Sequence, residues 1–297
     1  MQISIDTPYA IHELGGRDNQ EDSIFPHEEA ASVADRLFMV CDGMGGHANS
    51  EVASQMVCDD VSGYLLTTKL DEDVLSDVLI QEALEKVQVN LNAFDNGSIR
   101  QMGTTLTLLC LHRGGATMAH IGDSRIYHIR PSERRILYKS RDHSLVYDLF
   151  LSGEITKEEM ATFERKNVIT KALMPGNERP PKADIVHTTD IQPGDVFYLC
   201  SDGMLEQMDD AQLVDVFASD MSDAERCQDL IDATKENRDN HSAWMIRIAD
   251  VGHEPLDETQ PNNEATSKSN AALIEYGDDA SFPQKTWWGK MVDSLLS

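Results

Sequence analysis

Four short segments with carboxylate side chains lie far apart along this 297-residue chain, and their residue types could bind a cation. They are Glu21-Asp22, Asp42-Gly43, Ser201-Asp202-Gly203 and Asp239-Asn240. Asp42 and Asp202 follow apolar runs and precede glycine, so a strand ending there would deliver its carboxylate to the rim of a sheet. Several such strand ends would build an all-oxygen site, which suits Mg²⁺ or Mn²⁺ rather than Zn²⁺. The pattern therefore predicts metal-assisted hydrolysis.

Alternating apolar residues predict the strands that would carry these carboxylates. The stretches are 3–12, 36–41, 104–112, 116–121, 124–130, 184–189, 196–200 and 242–249. Apolar residues at helical spacing predict helices at 49–66, 72–94, 209–218 and 222–235. Consecutive strands with short links favour antiparallel pairing. We therefore expect an α+β protein with sheets sandwiched by helices, not a doubly wound parallel sheet.

The composition is strongly acidic, with a formal net charge of −27. Such a charge argues against nucleic acid as a partner, because nothing would neutralise the phosphates. It also argues against adsorption to anionic lipid. A metal site uses only a few of the 52 acidic residues, so most of them indicate a solvated acidic surface. That surface would also attract divalent cations and basic substrate segments.

The cysteines and the apolar runs favour a cytoplasmic protein. The five cysteines are odd in number, show no CxxC spacing and lie mostly in apolar stretches, which predicts buried free thiols in a reducing compartment. The first residues lack the basic and apolar regions of a signal peptide. The sequence contains no run of 18 apolar residues, so it predicts no transmembrane segment.

Hydrophobic patterning divides the chain into three parts. Residues 1–251 predict one domain, and residues 252–282 are polar and acidic, as in a disordered linker. Residues 283–297 are abruptly apolar and include Trp287 and Trp288, which could lie on one face of a short amphipathic helix. This last segment could dock on the domain, contact a partner or bind a membrane surface.

Within the domain, residues 142–166 contain few apolar residues and predict two short helices around a turn at 152–154. An insertion of this kind beside a site often acts as a movable flap. A plain surface excursion is the alternative.

The carboxylate segments belong to a longer series of motifs. In chain order these are Gly16-Arg17, Glu21-Asp22, the 42–47 turn, Gly103-Thr104-Thr105, Gly122-Asp123-Ser124-Arg125, Asp142-His143-Ser144, 167–173, Ser201-Asp202-Gly203 and Asp239-Asn240. In this order and spacing the chain resembles the metal-dependent serine/threonine protein phosphatases of the PPM (type 2C) family, from about residue 8 to 250. The form of the 42–47 turn and of the 142–166 segment is similar to the bacterial branch.

The resemblance implies a role for each site residue. Asp42 would bridge two metal ions, with the Gly43 carbonyl on one of them, and Asp202 and Asp239 would hold the other. Asp22 would lie in the inner or second shell. Glu21 would act on metal-bound water. Asp123, together with Asp202, would form a third metal site. Arg17 would bind the substrate phosphate. Arg17, Asp22 and Asp42 would thus be the catalytic set.

The family also implies a four-layer αββα sandwich of two antiparallel sheets flanked by helices. Its activity is hydrolysis of phosphoserine and phosphothreonine in proteins by a water bridging two Mn²⁺ or Mg²⁺ ions. The partners would be phosphorylated proteins, the targets of a serine/threonine kinase. Two other functions stay open: a catalytically weak scaffold that binds phosphoproteins, and a phosphatase of a small phosphorylated metabolite.

Two positions near the site allow other interpretations. Arg17 could instead be a surface arginine paired with Asp18, Glu21 or Asp22. Met44 stands where animal members carry a histidine two residues after the bridging aspartate, so the proton donor to the leaving group is not identified. His47 lies close by, and we interpret it as a structural or capping residue.

Overall fold

The computed structural model describes residues 1–45, 50–68, 74–94, 102–163 and 168–252. Its strands are β1 (Gln2–Ile5), β2 (Tyr9–Glu13), β3 (Ser23–Phe25), β4 (Leu37–Cys41), β5 (Gly43–Met44), β6 (Gly103–Thr104), β7 (Leu106–His112), β8 (Gly115–Ile121), β9 (Arg125–Arg130), β10 (Arg135–Lys139), β11 (Asp184–Thr188), β12 (Val196–Cys200) and β13 (His241–Gly252). Its α-helices are α1 (Ser50–Leu66), α2 (Asp77–Phe94), α3 (Leu145–Leu151), α4 (Lys157–Thr162), α5 (Asp210–Phe217) and α6 (Asp223–Thr234).

The strands form two large antiparallel sheets. One has the order β1-β13-β12-β9-β10, with β2 paired to the first half of β13. The other has the order β11-β8-β7-β4-β3. A small ladder joins β5 to β6. The α+β class, with antiparallel sheets and flanking helices, is confirmed.

Side-chain alternation along the strands builds a four-layer stack. In β4, Met39 packs in a core with α1 and α2, whereas Phe38 packs in the core between the sheets. In β12, Tyr198 packs in a core with α5 and α6, whereas Phe197 points into the core between the sheets. Every residue of both strands is buried, because each strand is covered on both faces. The central core includes Trp244, whose ring lies edge-on to Phe38 at 5.4 Å.

Some element boundaries differ from those predicted. The predicted strand 3–12 is broken between Ile5 and Tyr9, where Pro8 lacks the amide hydrogen that a ladder needs. Helix α2 begins at Asp77 rather than at 72, and β13 runs to Gly252 rather than to 249. Strands β3 and β10 were not predicted, since one is only three residues long and the other is rich in charge.

The 142–166 segment folds into α3 and α4 over its described residues, as the sequence predicted. Ser144 caps α3 by accepting from the amide of Tyr147, and Thr156 caps α4 in a reciprocal pair with Glu159. Gly153 links the helices at a positive φ of 75°, a conformation that favours glycine.

The described residues contain all five cysteines as buried free thiols, as predicted. None of the helices in those residues has the length and apolar character needed to cross a membrane. Residues 253–297, which include the predicted linker and the tryptophan segment, lie outside the described part of the chain.

Candidate metal centre

Five carboxylates lie at one end of the sandwich because the strands beside them end or begin there. Strands β4, β8 and β12 end at Cys41, Ile121 and Cys200, shortly before predicted ligands. Strand β3 begins at Ser23, directly after Asp22, and strand β13 begins at His241, shortly after Asp239. Ser23 pairs with Cys41, which sets two of the carboxylates side by side. The residues at this end are Asp22, Asp42, Asp123, Asp202 and Asp239.

The backbone of Asp42 is held by two threonines. The Asp42 amide donates to Thr105 Oγ1 at 3.0 Å. Its carbonyl accepts from the Thr105 amide and from Thr104 Oγ1, both at 2.9 Å. Thr105 also contacts Ser124 Oγ at 2.7 Å, beside the turn that carries Asp123. The Gly103-Thr104-Thr105 motif therefore positions Asp42, a role beyond the packing that its sequence suggested.

Gly43 allows two neighbouring segments to approach the Asp42 turn closely. A Cβ at this position would lie 2.4 Å from the carbonyl oxygen of Glu21 and 2.6 Å from that of Ser50. The Gly43 amide donates to the same Glu21 carbonyl at 3.1 Å. Any larger residue would push β3 or the start of α1 away from the site.

Asp22 is buried and accepts a hydrogen bond from a serine hydroxyl. Ser201 Oγ donates to Asp22 Oδ2 at 2.8 Å, and the same Ser201 oxygen accepts from the Ser242 amide at 2.9 Å. Both serines are fully buried; Ser201 directly follows β12, and Ser242 lies in the neighbouring strand β13. These contacts fix the carboxylate against the sheet, and the spacing of the motifs did not predict them.

Asn240 ties the segment that carries Arg17 and Glu21 to the start of β13. Its Nδ2 donates to the carbonyls of Leu14 and Asn19 at 2.8 and 3.0 Å. Its Oδ1 accepts from the Glu21 amide at 2.9 Å. One buried amide thus satisfies three backbone groups of the segment.

Arg17 reaches the carboxylate cluster. Its guanidinium donates to Asp239 Oδ2 at 2.7 Å, and both side chains are partly exposed, at 46% and 36%. The described contacts include no pair between Arg17 and Asp18 or Asp22, which are two of the partners in the alternative interpretation. Glu21 lies nearby, and burial raises the pKa of its carboxyl although Arg17 acts in the opposite direction.

Burial and mutual repulsion make these carboxyls hard to ionise together. Burial, with the charges of Asp202 and Asp239, raises the pKa of Asp22 to about 7. Burial, with the charge of Asp202, raises the pKa of Asp123 to about 8. The pKa of Asp42 lies well above its usual value, because it is desolvated and interacts with all four other aspartates. Asp202 also has a raised pKa, from burial and the charge of Asp239.

The carboxylate cluster fits divalent cations. Asp123 Oδ1 is buried and has no hydrogen-bond partner, an arrangement that is costly unless a cation or water completes it. Among the described ion pairs, Arg17 is the basic side chain that touches these five aspartates. Oxygen donors in excess of positive charge are the ligands that Mg²⁺ and Mn²⁺ prefer. The residues present therefore match the predicted ligand chemistry.

A second group of metal-binding residue types, His120, His143 and Asp184, lies at the base of the 142–166 segment. The imidazole rings are stacked with centroids 4.7 Å apart and planes within 4°, so their lone pairs lie in separate parallel planes. Lys171 Nζ already lies 3.0 Å from Asp184 Oδ1 and 3.1 Å from His143 Nε2. His143 Nδ1 accepts from the amide of Gly122 at 3.1 Å, which ties the segment to the Asp123 turn. With these partners in place, this group is structural.

The partners of Ser124 and Arg125 are distant in the sequence. Arg125 donates to both carboxylate oxygens of Asp142, at 2.6 and 2.7 Å, and Ser124 contacts Thr105. These contacts cross 17 and 19 residues of sequence because β9 pairs with β10 in the first sheet and β7 pairs with β8 in the second. Asp142 is thus an ion-pair partner of Arg125.

Met44 is half-buried in β5, and its thioether has no proton to give to a leaving group. His47 lies outside the described residues. The proton donor that the sequence left open is therefore not assigned by the contacts around Met44.

Comparisons with known proteins identify the family of the chain. The family model of protein phosphatase 2C matches residues 12–237. A serine/threonine phosphatase, stp, of Listeria welshimeri is 32% identical over 204 residues, which cover 68% of this chain and 78% of the relative.

Solved structures show the same architecture. Serine/threonine phosphatase Stp1 from Staphylococcus aureus superposes with a TM-score of 0.71 and 26% identity, over 84% of this chain and 97% of that one. The catalytic domain of the protein phosphatase PstP, in complex with 2 manganese ions, superposes with a TM-score of 0.64 and 28% identity, over 84% of this chain and 100% of that one. With a family model that spans most of its length, and a carboxylate cluster suited to cations, the chain belongs to the protein phosphatase 2C family.

Proposed function

We propose that this chain removes phosphate from phosphoserine and phosphothreonine side chains of proteins, with the help of divalent cations. The observation that carries the proposal is the convergence of five aspartates at one end of the sandwich, where Asp123 Oδ1 is buried without a partner. Membership of the family and its similarity to named serine/threonine phosphatases support the same activity.

The cations would be Mn²⁺ or Mg²⁺, two per chain with a third site beside them. Asp42 is the bridging candidate, since it interacts with all four other aspartates. The Gly43 carbonyl would serve one cation, and Asp202 and Asp239 the other. Asp123, with Asp202, would serve the third site. When bound, two cations offset the charge of the phosphate and lower the pKa of a water molecule between them.

Arg17 would bind and orient the substrate phosphate. A guanidinium offers planar paired donors that match two phosphate oxygens. Arg17 is about half exposed, so a substrate can reach it, and its present partner is a carboxylate at the edge of the cluster. The same donors can turn from Asp239 to a phosphate without moving the backbone.

Glu21 and Asp22 would hold and orient water at the site. Asp22 accepts from Ser201 Oγ, so its carboxylate has a defined direction. Glu21 is half-buried, and its backbone is held by Asn240. We assign Glu21 to water outside the first ligand sphere, and Asp22 to the first or second sphere.

The test is metal-dependent hydrolysis of a phosphothreonine peptide. The purified full-length chain should release phosphate with Mn²⁺, lose this activity in EDTA and regain it when Mn²⁺ is added back. Absence of metal-dependent turnover on any phosphomonoester would show that the proposal is wrong and would favour a phosphoprotein-binding scaffold. A small phosphorylated metabolite hydrolysed with a higher kcat/KM than the peptide would move the substrate class to metabolites.

Three further assignments extend this proposal. The 142–166 segment would act as a flap, because its base is tied to the Gly122-Asp123 turn through His143. Residues 1–251 would form the phosphatase domain, with 252–282 as a linker and 283–297 as a contact for a partner or membrane surface. The compartment would be the cytoplasm, with substrates phosphorylated by a serine/threonine kinase. Deletion of 283–297 should leave peptide hydrolysis intact; loss of folding would indicate that this segment docks on the domain.

A further inference from the structure

Asp123 lies in a turn shortly after strand β8, and one oxygen of its carboxylate is not held by any described group. The residue is buried, and its Oδ1 has no hydrogen-bond partner among the described residues. The direction of this carboxylate therefore depends on the backbone of the turn. Gly122, the residue before it, has a positive φ of 104°, a conformation that glycine adopts without strain but also leaves without strain. Contacts from other parts of the chain must hold the turn.

His143 holds both peptide groups that flank Gly122. The Gly122 amide donates to His143 Nδ1 at 3.1 Å, and the His143 amide donates to the Gly122 carbonyl at 2.9 Å. Because the peptide group is planar, the second bond fixes the plane to which the Asp123 nitrogen belongs. On the other side of Asp123, Ser124 Oγ contacts Thr105 Oγ1 at 2.7 Å. Asp123 thus lies between two anchored neighbours.

The proton position on His143 follows from the bond to its Nδ1. A backbone amide can only donate, so Nδ1 accepts, which requires a neutral ring with its proton on Nε2. Nε2 lies 3.3 Å from Asp184 Oδ2. Lys171 Nζ, 3.1 Å from Nε2, is itself a donor, and it lies 3.0 Å from Asp184 Oδ1. Asp184 therefore accepts from both groups, and the buried imidazole is held at both of its nitrogens.

His143 is also held by the elements on either side of it. Its ring stacks on His120 of β8, and its carbonyl accepts from the Thr170 amide at 2.8 Å. Asp184 begins β11, and the strand register places it opposite His120. These contacts give the histidine a fixed position against the second sheet. It can therefore impose on Gly122 a backbone conformation that a glycine does not keep by itself.

We propose that His143 is a positioning residue for Asp123, acting through its two hydrogen bonds to Gly122. The proposal rests on the proposed function, in which Asp123 serves a third cation together with Asp202. His143 touches neither cation nor substrate. It holds the backbone of the turn so that the Asp123 carboxylate is already directed at the cluster before a cation binds.

The experiment replaces the two ring nitrogens of His143 separately. His143→Asn places an amide oxygen close to the position of Nδ1 and can still accept from Gly122. His143→Gln places its amide close to the position of Nε2 and leaves the Gly122 amide without its acceptor. His143→Leu removes both polar positions. A residue that only filled space would be replaced better by glutamine, which is closer to histidine in volume than asparagine is.

His112→Leu is the matched control, because His112 makes the same kind of hydrogen bond at a distance from the site. Its Nδ1 accepts from the amide of Gly114, also at 3.1 Å, and its side chain is also buried. This bond lies at the turn between β7 and β8, whereas Asp123 follows the opposite end of β8. His112→Leu should therefore cost stability without changing the cluster.

Two measurements are made on each full-length variant: Mn²⁺ binding by calorimetry, and kcat and KM on a phosphothreonine peptide. His143→Leu and His143→Gln should weaken Mn²⁺ binding by about tenfold at the site that Asp123→Asn removes, the lower end of the range for groups that orient metal ligands. His143→Asn should stay within about twofold of native. The KM for the peptide should also stay within about twofold in all three, because Arg17 is not part of these contacts. The double variant His143→Leu/Asp123→Asn should lose no more than Asp123→Asn alone.

Native Mn²⁺ binding in His143→Leu would overturn the proposal, as would equal losses in the asparagine and glutamine variants. If His143→Leu does not fold, the asparagine and glutamine variants decide by themselves. Equal losses in His112→Leu would also overturn the proposal, since they would reflect general destabilisation, and so would additive losses in the double variant. Native Mn²⁺ binding in Asp123→Asn would leave no ligand to position and would have the same result.

The outcome for the proposed function is separate. If the native chain binds Mn²⁺ but hydrolyses no phosphomonoester, the proposed function falls, and the calorimetry alone decides the positioning role. If the native chain binds no Mn²⁺, both proposals are wrong.

Discussion

Strands β9 and β12 lie side by side, and the buried aspartates at their two ends have opposite kinds of partner. At one end, Asp123 and Asp202 enter the candidate metal centre. At the other end, Asp195 is fully buried and accepts from Arg130 at 2.9 Å and from His128 at 3.0 Å. Burial by itself raises the pKa of Asp195, but these partners and a backbone amide lower it to about 2.

The difference lies in the partners and not in burial. Asp123 and Asp195 are both buried, and burial raises the pKa of both carboxyls; the pKa of Asp123 rises to about 8, because the charge of Asp202 adds to the effect of burial. A buried carboxylate that already has a cationic side chain as its partner stabilises the fold. A buried carboxylate that faces other carboxylates lacks such a partner and favours the binding of a cation from solution.

The largest expected effect comes from removing the aspartate that interacts with all the others. Asp42→Asn should lower kcat on a phosphothreonine peptide by more than about a thousandfold and abolish Mn²⁺ binding, because the two-cation site acts as a unit. In EDTA the variant should melt at a higher temperature than the native chain, since a repelled buried carboxyl is gone. Asp229→Asn on the exposed face of α6 is the matched control. Native turnover in Asp42→Asn would remove the bridging assignment.

A substitution at the opposite end of the same strands should lower the stability of the fold and leave kcat unchanged. Asp195→Ala should lower the free energy of unfolding by about 1–3 kcal/mol, because Arg130 and His128 lose a buried acceptor. The loss is partial, since Arg130 keeps ion pairs to two exposed carboxylates, those of Asp190 and Glu133. Urea denaturation in EDTA measures this loss, and kcat per folded molecule should stay close to native. Asp202→Asn is the counterpart at the site end and should cost little stability. Equal losses in the two variants would erase the contrast between the ends.

The two arginines sharpen the comparison at a smaller scale. Arg17 is partly exposed beside the carboxylates, whereas Arg130 is buried in its ion pair. Arg17→Ala should raise the KM for the peptide about 10–100-fold, the range for losing a hydrogen bond to a charged group. Exposed Arg179→Ala is the control for the loss of one positive charge. A fall in kcat with an unchanged KM would place Arg17 outside substrate binding.

The smallest effect is a pH dependence that only the site end should produce. Raised pKa values near 7 for Asp22 and 8 for Asp123 mean that the folded chain holds protons that the unfolded chain has already lost. The metal-free protein should therefore lose stability as pH rises from about 7.5 to 8.5, where the unfolded histidines have already lost their protons. The melting temperature in EDTA should fall by a few degrees, since 1 kcal/mol corresponds to about 2–4 °C in a domain of this size.

The carboxyls with a lowered pKa and the shifted histidines act below that pH window. The lowered pKa of Asp195, about 2, confines its contribution to acid pH. Burial lowers the pKa of four histidines, so they add stability as pH rises only until the unfolded chain has lost its imidazolium protons, about one unit above the ordinary histidine pKa of roughly 6.5. These histidines are His12, His112, His120 and His143. Asp123→Asn should make the slope shallower, and saturating Mn²⁺ should abolish it. A melting temperature that rises with pH in EDTA would contradict the carboxylate repulsion.

The sequence predicted what local patterns control. Asp42 and Asp202 follow apolar runs that could only be buried strands, and the helices at 50–66 and 210–217 have clear periodicity. The layer order follows from consecutive strands with short links. The candidate ligands came from the order of several motifs, whose roles remain predictions.

Long-range partners were beyond the sequence, because strand register decides them. Asp195 and Asp202 flank the same apolar run, and nothing in their neighbours distinguishes an ion-pair residue from a candidate ligand. His12 and Ser242 meet across 230 residues through one register of β2 on β13. A shift of one residue would turn both side chains to the other face of the sheet.

The three hydrogen bonds of Asn240 to Leu14, Asn19 and Glu21 have a thermodynamic consequence for the arginine they surround. Ordering a flexible backbone costs about 1–2 kcal/mol per residue. In this protein the loop that presents Arg17 is already ordered by a residue of the distant strand β13. Its entropy is therefore lost during folding, and phosphate binding has only a guanidinium side chain to immobilise.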